Sequence, residues 1–417
     1  MIKLSKKLWP INRSITGKGN VNSLKILKNF FFGLTIKKFN SGDKVFDWKI
    51  PNEWSIKNAH ILDPHKKKIC DFKKNNLHLV GYSQKVNKTL DLDELKKHLF
   101  FIKNKPNSIP YLTSYYKKRW GFCITYNEYK KLIPGKYHVK IDSSFKKGKM
   151  HYGEIFIKGK SKLEIVFTTY ICHPSMANNE LSGPVLLTYL AHFIKKKKRK
   201  YSYRIIFVPV TIGSISYIEK NFYHLKKLCV AGYVVTCVGD ERCYSYIPSR
   251  KGNTVSDLLA KRTLKKIKGK KIFYSWLDRR SDERQFCSPN VDLPFCSLIR
   301  TKYHSYPEYH TSEDKIGSVM TKKGMLSSLQ MYKNLINNIE KETILKSVNS
   351  CEPFMTKYNL YPTIRTNRNK NYAQKIMDFL SYSDGNIFLN DIHKKINVSK
   401  TESKKIYAIL KKKNLIY

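Results

Sequence analysis

The sequence has no apolar run long enough to cross a membrane. Nothing in it approaches 18 consecutive apolar residues, and the basic start MIKLSKKLWPINRS is not followed by the apolar region that a secretory signal requires. These absences argue against a transmembrane or secreted protein. We therefore predict a cytoplasmic chain with no membrane span.

Paired cysteines are also missing. The nine cysteines are an odd number, scattered singly from Cys70 to Cys351 without any C-x-x-C pair. This spacing suggests neither a disulfide framework nor a cysteine-type zinc knuckle. We expect reduced and partly buried thiols.

Acidic residues and arginine are scarce. The 417-residue chain has 80 basic and 31 acidic residues, a formal net charge of +49, yet only 13 of the basic residues are arginine. A charge of this size attracts polyanions, but arginine is the preferred group for bidentate phosphate and base contacts. The many Lys, Asn, Ile, Tyr and Phe residues share AT-rich codons, which favours codon bias as the origin of the charge. We predict no specific nucleic-acid partner.

From about residue 162 onward, apolar strands alternate with helical segments. The strand-like stretches are LEIVFTTYI, YRIIFVPV, AGYVVTCVG and PFCSLI, and helical stretches such as GPVLLTYLAHFI lie between them. Continuous apolar strands separated by helices predict an α/β fold, with a mostly parallel or mixed sheet flanked by helices. Ligands bind such sheets beyond the carboxyl ends of the strands.

Two other regions differ from this alternation of strands and helices in their sequence pattern. Residues 44–145 combine short strands with turns and isolated tryptophans, which predicts a β-rich module inserted into an α/β domain made of residues 1–43 and 146–355. Residues 360–417 contain three short amphipathic helices, the outline of a winged-helix unit. Its last helix lacks arginine, so docking onto the core or onto a second subunit is favoured over DNA binding, and a homo-oligomer stays possible.

Polar candidates follow the predicted strands. His173 comes directly after an apolar strand, where the alternative is a histidine that serves packing alone. Neutral imidazoles and carboxylates are the N and O ligands that Zn²⁺ takes, and a catalytic site gathers them from different loops. The other candidates at strand ends or in the following loops are Asp240, Asp282, Glu283 and His310.

The order of these segments resembles a known family. CHPSMANNELSG is similar to a metal-binding segment of the co-catalytic zinc aminopeptidases related to bacterial leucyl aminopeptidase, and the resemblance continues through VPVTIGS, VVTCVGD, SDERQF and PEYHTSED. The whole chain is similar to bacterial proteins with an aminopeptidase-like domain. That set is associated with polysaccharide biosynthesis genes and carries an inserted β module and a terminal winged helix. The resemblance implies the same fold and one or two Zn²⁺ ions.

The resemblance also assigns metal ligands by position. His173 matches the first metal histidine, Asp240 the terminal carboxylate of that metal, and His310 the histidine of the second metal. Asn179 stands where the family has a bridging aspartate, and Val210 stands about where a glutamate is expected. An amide offers one neutral oxygen, so a tight dinuclear site is in doubt.

The remaining acids define the candidate catalytic groups. Glu180, Glu308 and Glu283 are the acids placed to act as a general base. Glu180 has an equally favoured alternative, as an acid that starts the following helix. The candidate substrate-binding residues are Asp282, Arg284 and Tyr309, although an ionic network within RRSDERQF is the alternative for the first two.

Two function classes remain open from the sequence. The first is a zinc-dependent, aminopeptidase-like hydrolase that acts on a peptide-like or aminoacyl amide, or on an amino-sugar substrate. The second is a catalytically inactive scaffold that binds a peptide, a sugar intermediate or a protein partner in the same cleft. The changed residues at positions 179 and 210 favour the second class, whereas the retained His173, Asp240 and His310 favour the first.

Overall fold

The computed structural model describes residues 1–361 and 367–417. Its strands are β1 (Leu34–Asn40), β2 (Lys44–Val45), β3 (Trp48–Lys49), β4 (Glu53–Leu62), β5 (Lys68–Ile69), β6 (Val86–Asp91), β7 (Leu99–Phe100), β8 (Phe122–Cys123), β9 (Lys136–Lys146), β10 (Lys149–Ile157), β11 (Glu164–Tyr170), β12 (Ser202–Val208), β13 (Cys229–Val234), β14 (Tyr244–Ile247), β15 (Lys271–Phe273), β16 (Phe295–Ile299), β17 (Ile344–Lys346) and β18 (Asp384–Phe388).

Helices connect most of these strands. They are α1 (Ile2–Leu8), α2 (Lys18–Phe30), α3 (Leu92–Lys96), α4 (Tyr126–Lys130), α5 (Ser182–Lys195), α6 (Ile212–Lys220), α7 (Phe222–Leu228), α8 (Val255–Lys265), α9 (Glu283–Phe286), α10 (Lys322–Lys341), α11 (Asn367–Ser381), α12 (Ile392–Lys395) and α13 (Lys400–Lys412). A one-turn π-helix spans Ala177–Leu181, and 3-10 turns span Asn76–His78, Trp276–Asp278 and Met355–Tyr358.

Eight strands form one large sheet in the order β1-β10-β12-β11-β13-β16-β14-β15. Strands β12, β11, β13 and β16 run parallel to one another, whereas β1 pairs with β10, β10 with β12, and β14 with β16 in antiparallel fashion. The sheet is therefore mixed. This confirms the predicted α/β class with a mixed sheet flanked by helices.

The central strands are apolar throughout because both of their faces are covered. Ile165 and Phe167 of β11 belong to the core that includes residues of α5 and α10, whereas Val166 between them belongs to the core that includes residues of α6 and α7. Successive side chains of a strand point to opposite faces. A continuous apolar strand is what a sheet between two helical layers requires.

Helix α5 begins in close contact with the sheet. A Cβ atom on Gly183 would lie 2.3 Å from Thr169 Oγ1 and 2.4 Å from the carbonyl oxygen of Val235. Only glycine fits such an approach of helix backbone to strand. The segment just before the helix is thereby held at the end of β11.

A second, four-stranded antiparallel sheet has the order β5-β4-β9-β6. Its inner residues Ile61 and Val139 share one core with Ile206 and Val208 of the large sheet, so the two sheets pack on a common apolar layer. All four strands fall within residues 53–146. The boundaries 44–145 for the inserted module stay a prediction.

The C-terminal region forms a small helical unit with its own core. Strands β17 and β18 pair, and Leu345 of β17 packs with residues of α11 and α13. The hydroxyl of Ser399 caps α13 by accepting the backbone N–H of Glu402 at 3.1 Å. The start of the predicted segment 360–417 includes residues 362–366, which lie outside the described residues.

This unit contacts the α/β domain. The guanidinium of Arg262 in α8 lies 5.5 Å from the centre of the Phe388 ring, and Lys346 Nζ donates to the carbonyl of Lys226 at 3.1 Å. Across residues 1–361 and 367–417, no helix combines the length and apolar character needed to span a bilayer. All nine cysteines are free thiols, and only Cys351 is exposed.

Candidate metal centre

The segment that follows β11 carries most of the candidate side chains. His173 lies three residues beyond β11, and the chain then forms the π-helical turn before α5 begins. Asp314 shapes this turn, because its carboxylate accepts the backbone N–H groups of Asn178 at 2.7 Å and Asn179 at 2.9 Å. Burial raises the pKa of Asp314 to about 7. The turn brings the Glu180 side chain back to the end of β11.

Glu180 holds the ring of His173. The carboxylate of Glu180 is buried, accepts the backbone N–H of Cys172 and lies 2.8 Å from His173 Nδ1. A carboxylate accepts hydrogen bonds, so Nδ1 carries a proton, and Nε2 is the ring nitrogen that can offer a lone pair. A carboxylate behind a histidine is the usual device for orienting a metal ligand or a base.

Arg13 lies behind the same histidine. Its guanidinium is buried, donates from Nε to the carbonyl of His173 at 3.0 Å and donates from Nη1 to the carbonyl of Leu8 at 2.6 Å. Burial lowers the pKa of Arg13 to about 10, and the nearby Glu180 opposes that change. The negative Glu180 therefore has a buried positive neighbour.

His310 faces His173 across a short gap. The two ring centres are 5.4 Å apart, and the ring of Tyr111 lies 4.9 Å from one and 5.1 Å from the other. Burial lowers the pKa of His310 well below its usual value, so its imidazole is neutral. Its Nε2 is buried without a hydrogen-bond partner in the described part of the chain.

The backbone and one neighbour fix the His310 ring. His310 has a φ of +55°, and its carbonyl accepts the backbone N–H of Tyr111 at 2.8 Å. A positive φ is uncommon outside glycine and marks a conformation that the surroundings impose. Tyr309, a predicted substrate-binding residue, stacks on the His310 ring at 3.9 Å and so supports it.

Glu308 contributes a half-satisfied carboxylate. One of its oxygens accepts from Arg242 Nη2 at 2.8 Å. The other oxygen is buried and has no hydrogen-bond partner among the residues described. Buried carboxylate oxygens are rarely left unpaired, so this atom is available to a ligand or a proton.

Both carboxylate oxygens of Asp240 accept hydrogen bonds from other residues of the protein. One oxygen accepts the backbone N–H of Arg242 at 2.9 Å and the hydroxyl of Thr301 at 2.6 Å. The other accepts the backbone N–H of Thr301 at 3.0 Å and the amide of Asn178 at 3.3 Å. Asp240 thus connects three loops, and the assignment of a metal to it stays a prediction.

Asn179 is engaged in a similar way. Its side-chain oxygen accepts the hydroxyl of Tyr170 at 3.0 Å, and that hydroxyl in turn accepts from Thr236 at 2.6 Å. The side-chain nitrogen of Asn179 is buried without a partner within the described residues. An amide nitrogen binds no metal, so the only donor atom of Asn179 already has a role.

One group of three potential ligands has all of its donor atoms within 4.8 Å among the described residues, and it consists of Cys172, His173 and Glu180. Neither Asp240 nor His310 belongs to it. Ligands of one tetrahedral zinc ion are roughly 3.3 Å apart, so the 2.8 Å contact of His173 with Glu180 is a hydrogen bond and not a ligand pair. Burial and Glu180 also raise the pKa of the Cys172 thiol, which disfavours the thiolate that binds metals.

Glu283 is buried with its hydrogen bonds satisfied. One oxygen accepts the backbone N–H groups of Arg280 and Ser281, each at 3.0 Å, and the hydroxyl of Tyr303. The other oxygen accepts the hydroxyl of Ser297 at 3.3 Å. These contacts favour a structural role over the predicted catalytic one.

Asp282 and Arg284 converge on the start of α6. The carboxylate of Asp282 accepts the backbone N–H of Thr211 at 2.8 Å and the hydroxyl of Ser214 at 2.6 Å, while Arg284 donates to the hydroxyl of Thr211 at 2.9 Å. Burial raises the pKa of Asp282 to about 6. The adjacent Val210 donates its backbone N–H to Cys172 Sγ at 3.3 Å, which joins this group to the first.

The raised pKa of Asp282 predicts a pH-dependent stability. Because the folded protein holds this proton more tightly than the unfolded chain, stability falls as pH rises from about 4 to about 6, by up to about 3 kcal/mol. Asp282→Asn cannot titrate, so we expect its free energy of unfolding to lack this decline. Urea unfolding from pH 4 to pH 8 measures the difference. The exposed Asp93→Asn is the control, and parallel curves for wild type and Asp282→Asn would contradict the prediction.

Several residues of the site were outside the sequence prediction. The sequence pattern gives no role at the metal centre to Arg13, Cys172, Tyr111 or Asp314. Cys172 and Asp314 border two of the matched segments, CHPSMANNELSG and PEYHTSED, which is the one indication that the sequence offered. Tyr111 lies in the inserted region, and nothing in its local pattern points to the histidines.

Unsatisfied buried atoms show how the side chains fit a metal ion. His310 Nε2 and Glu308 Oε2 are buried and unpaired, and Nε2 of His173 makes no hydrogen bond to any described residue. Imidazole nitrogens are donors of the kind that zinc takes, and an unpaired carboxylate oxygen can accept a proton. A second ion would need a charged bridging group at position 179. The two histidines supply donor types that suit one zinc ion, whereas His173, His310 and Glu308 do not form a group whose donor atoms all lie within 4.8 Å of one another.

Comparison with known families and sequences places the chain among related proteins. A family model described as a domain of unknown function, DUF4910, matches residues 2–342, and a winged helix-turn-helix model matches residues 343–417. A Clostridium acetobutylicum protein is 41% identical over 391 residues, which cover 93% of this chain and 89% of that protein. Its name assigns it to polysaccharide biosynthesis, with an aminopeptidase-like domain.

Solved structures show the same likeness. A Clostridium acetobutylicum protein assigned as a peptidase is 39% identical, with a TM-score of 0.80 over 100% of this chain and 95% of that one. A zinc aminopeptidase from Bacillus subtilis is 12% identical, with a TM-score of 0.60 over 81% of this chain and 92% of that one. The aminopeptidase of Aneurinibacillus sp. strain AM-1 is 14% identical, with a TM-score of 0.51 over 80% and 92%. The last two share the fold, and the resemblance predicted from the sequence is confirmed.

Proposed function

The chain belongs to the DUF4910 family, a domain of unknown function, and from this premise we propose that it is a zinc-dependent hydrolase of a peptide-like amide. The observation that carries the proposal is the pair formed by Glu180 and His173, which leaves His173 Nε2 unengaged near the neutral His310. The fold of zinc aminopeptidases supports it. The related protein named for polysaccharide biosynthesis supports a substrate in which an amide joins peptide-like or amino-sugar parts.

The contacts of these residues indicate a separate role for each of them in the reaction. His173 and His310 would hold the ion, and a bound zinc ion lowers the pKa of water and polarises a carbonyl oxygen. Glu180 keeps the proton of His173 on Nδ1 and so keeps Nε2 available. The unpaired Oε2 of Glu308 would serve as the proton acceptor for water and as the proton donor to the departing amine.

The second candidate function is a binding scaffold without catalysis. The observation that favours it is that the side-chain oxygens of Asp240 and Asn179 are taken by protein donors. In that case peptide-like or sugar ligands would bind in the cleft without turnover. Zinc affinity and hydrolysis, measured together, separate the two functions.

Zinc binding tests the proposed ligands. Metal-free wild type is expected to bind one equivalent of Zn²⁺ in isothermal titration, and His173→Gln and His310→Gln are each expected to weaken binding by at least roughly tenfold. His65→Gln changes an exposed histidine in the β4–β5 turn and should bind as wild type does. If the double variant His173→Gln with His310→Gln binds zinc as tightly as wild type, the two imidazoles are not the ligands.

Hydrolysis tests the proposed proton acceptor. Glu308→Gln is expected to retain zinc binding but to lower kcat on aminoacyl amides by roughly 10²–10⁴-fold, since the amide cannot accept the proton. A panel of aminoacyl and amino-sugar amides, assayed with and without zinc, provides the measurement. Zinc binding without any hydrolysis across the panel would support the scaffold instead.

A further inference from the structure

A pocket with aromatic walls lies beside the candidate metal centre. Its walls include Trp48, Tyr115 and Tyr116 from the inserted region and Val210 and Thr211 from the end of β12 and the start of α6. The residues come from segments far apart in the chain. The fold therefore forms this pocket between residues of the inserted region and the segment that follows β12.

Two residues of the pocket lining contact neighbours of His173. On one side the backbone N–H of Val210 contacts Cys172 Sγ at 3.3 Å, next to His173. On the other side the hydroxyl of Tyr115 lies 3.5 Å from that of Tyr111, whose ring is 4.9 Å from His173. One residue, Cys172 or Tyr111, therefore links the lining of the pocket to His173.

Two aromatic rings of the pocket remain open to solvent. Trp48 is 38% exposed and Tyr116 is 50% exposed, and their ring centres are 6.0 Å apart. The Tyr116 hydroxyl donates to the carbonyl of Lys49 at 2.9 Å, which fixes the ring beside β3. Exposed aromatic rings that line one pocket are a typical surface for contact with a ligand ring.

The charged groups of the pocket are all positive. Its lining includes Lys117 and Arg284 and contains no carboxylate. Lys117 forms no ion pair within the described part of the chain, and Arg284 makes a single side-chain hydrogen bond there, to Thr211. The two acids that precede Arg284 in sequence are engaged elsewhere, Asp282 with Thr211 and Ser214 and Glu283 with backbone N–H groups and Ser297. The guanidinium thus keeps N–H groups free for an acceptor.

Thr211 gives this wall a fixed shape. It is a β-branched residue with a φ of +65°, a conformation that costs free energy and persists only where neighbours impose it. Here the neighbours are Asp282 on its N–H and Arg284 on its hydroxyl. The same contacts that hold the strained residue also aim the guanidinium at the pocket.

We propose that this pocket binds a carboxylate carried on a ring, with the ring against Trp48 and Tyr116 and the carboxylate at Arg284 and Lys117. The inference rests on the proposed function in one respect, because it makes the pocket a subsite for an acidic group next to the amide that is hydrolysed. A sugar acid and an aromatic acid share this chemistry. Bidentate binding of a carboxylate is what the guanidinium geometry favours.

Two matched pairs of probes test the proposal directly. Glucuronate is compared with glucose, and phenylacetate with phenylacetamide, by isothermal titration on full-length protein treated with EDTA. The acidic member of at least one pair is expected to bind at least roughly tenfold more tightly than its neutral partner. Preference in the sugar pair alone identifies a sugar acid, and preference in the phenyl pair alone identifies an aromatic acid.

Variants show whether the named residues are responsible. Arg284→Gln is expected to abolish the preference for the acid, Arg284→Lys to retain part of it, and Lys117→Gln to weaken it. Lys118→Gln alters an adjacent exposed lysine that does not line the pocket and serves as the control. Equal binding of acid and neutral probes, or a preference that survives Arg284→Gln in a folded variant, would overturn the proposal. Because no zinc is present, these results are independent of the proposed hydrolysis.

Discussion

Glu180→Ala is expected to lower the free energy of unfolding by about 3–5 kcal/mol, because it removes one partner of a buried charged cluster. The carboxylate is buried and accepts from Cys172 N–H and His173 Nδ1, and it lies near the guanidinium of Arg13. Alanine leaves these two donors without their acceptor and removes a negative charge near a buried cation. Urea unfolding followed by circular dichroism gives the difference.

Two further variants serve as comparisons in this experiment. Glu180→Gln keeps an acceptor oxygen of similar shape and should lose less stability than alanine does. Glu94→Ala removes an exposed acid that pairs with Lys97, and its effect should stay within about 0.5 kcal/mol. If the free energy of unfolding of Glu180→Ala lies within about 1 kcal/mol of the wild-type value, the cluster contributes little to the stability of the fold.

Arg13→Met is expected to cost about 3 kcal/mol or more, since it deprives two buried carbonyls of a donor and leaves Glu180 without its cation. The double variant Arg13→Met with Glu180→Gln should lose less than the sum of the single changes, with a coupling of about 1–3 kcal/mol. Both charges are then removed together. Unfolding of the four proteins of this cycle measures the coupling.

A second buried arginine supplies the matched control. Arg199 is also buried and donates to the carbonyls of Ile194 and Phe193, but it has no carboxylate partner among the described ion pairs. Arg199→Met should destabilise the fold yet show no coupling to Glu180→Gln. Equal coupling for Arg13 and Arg199 would mean that the charge of Arg13 does not act on Glu180.

The sequence predicted the scaffold better than the site. The apolar strands that precede His173 and Asp240 predicted the sheet correctly, because continuous apolar runs fit only strands covered on both faces. The position of His173 beyond a strand followed from the same pattern. The orientation of the Glu180 side chain did not follow from this pattern. It depends on a π-helical turn that Asp314, a residue far along the chain, stabilises.

The remaining details of the site depend on contacts without a local pattern. The sequence predicted Asp240 as a metal ligand, but only the structure shows that Thr301 and Asn178 occupy its oxygens. Arg13, which donates to the carbonyl of His173, lies 160 positions earlier in the chain. Sequence spacing assigns residue types to the ends of strands, and it does not determine which partner each side chain finds.

The contact between Arg13 and His173 also has a consequence for the order of synthesis. The two residues are 160 positions apart, so a ribosome that adds about 5–20 residues per second delivers His173 roughly 8–30 s after Arg13. All residues of the four-stranded sheet, which lie within 53–146, are synthesised before His173. During that interval the guanidinium of Arg13 stays hydrated, and it is withdrawn from water only when β11 and the following turn join the nascent protein.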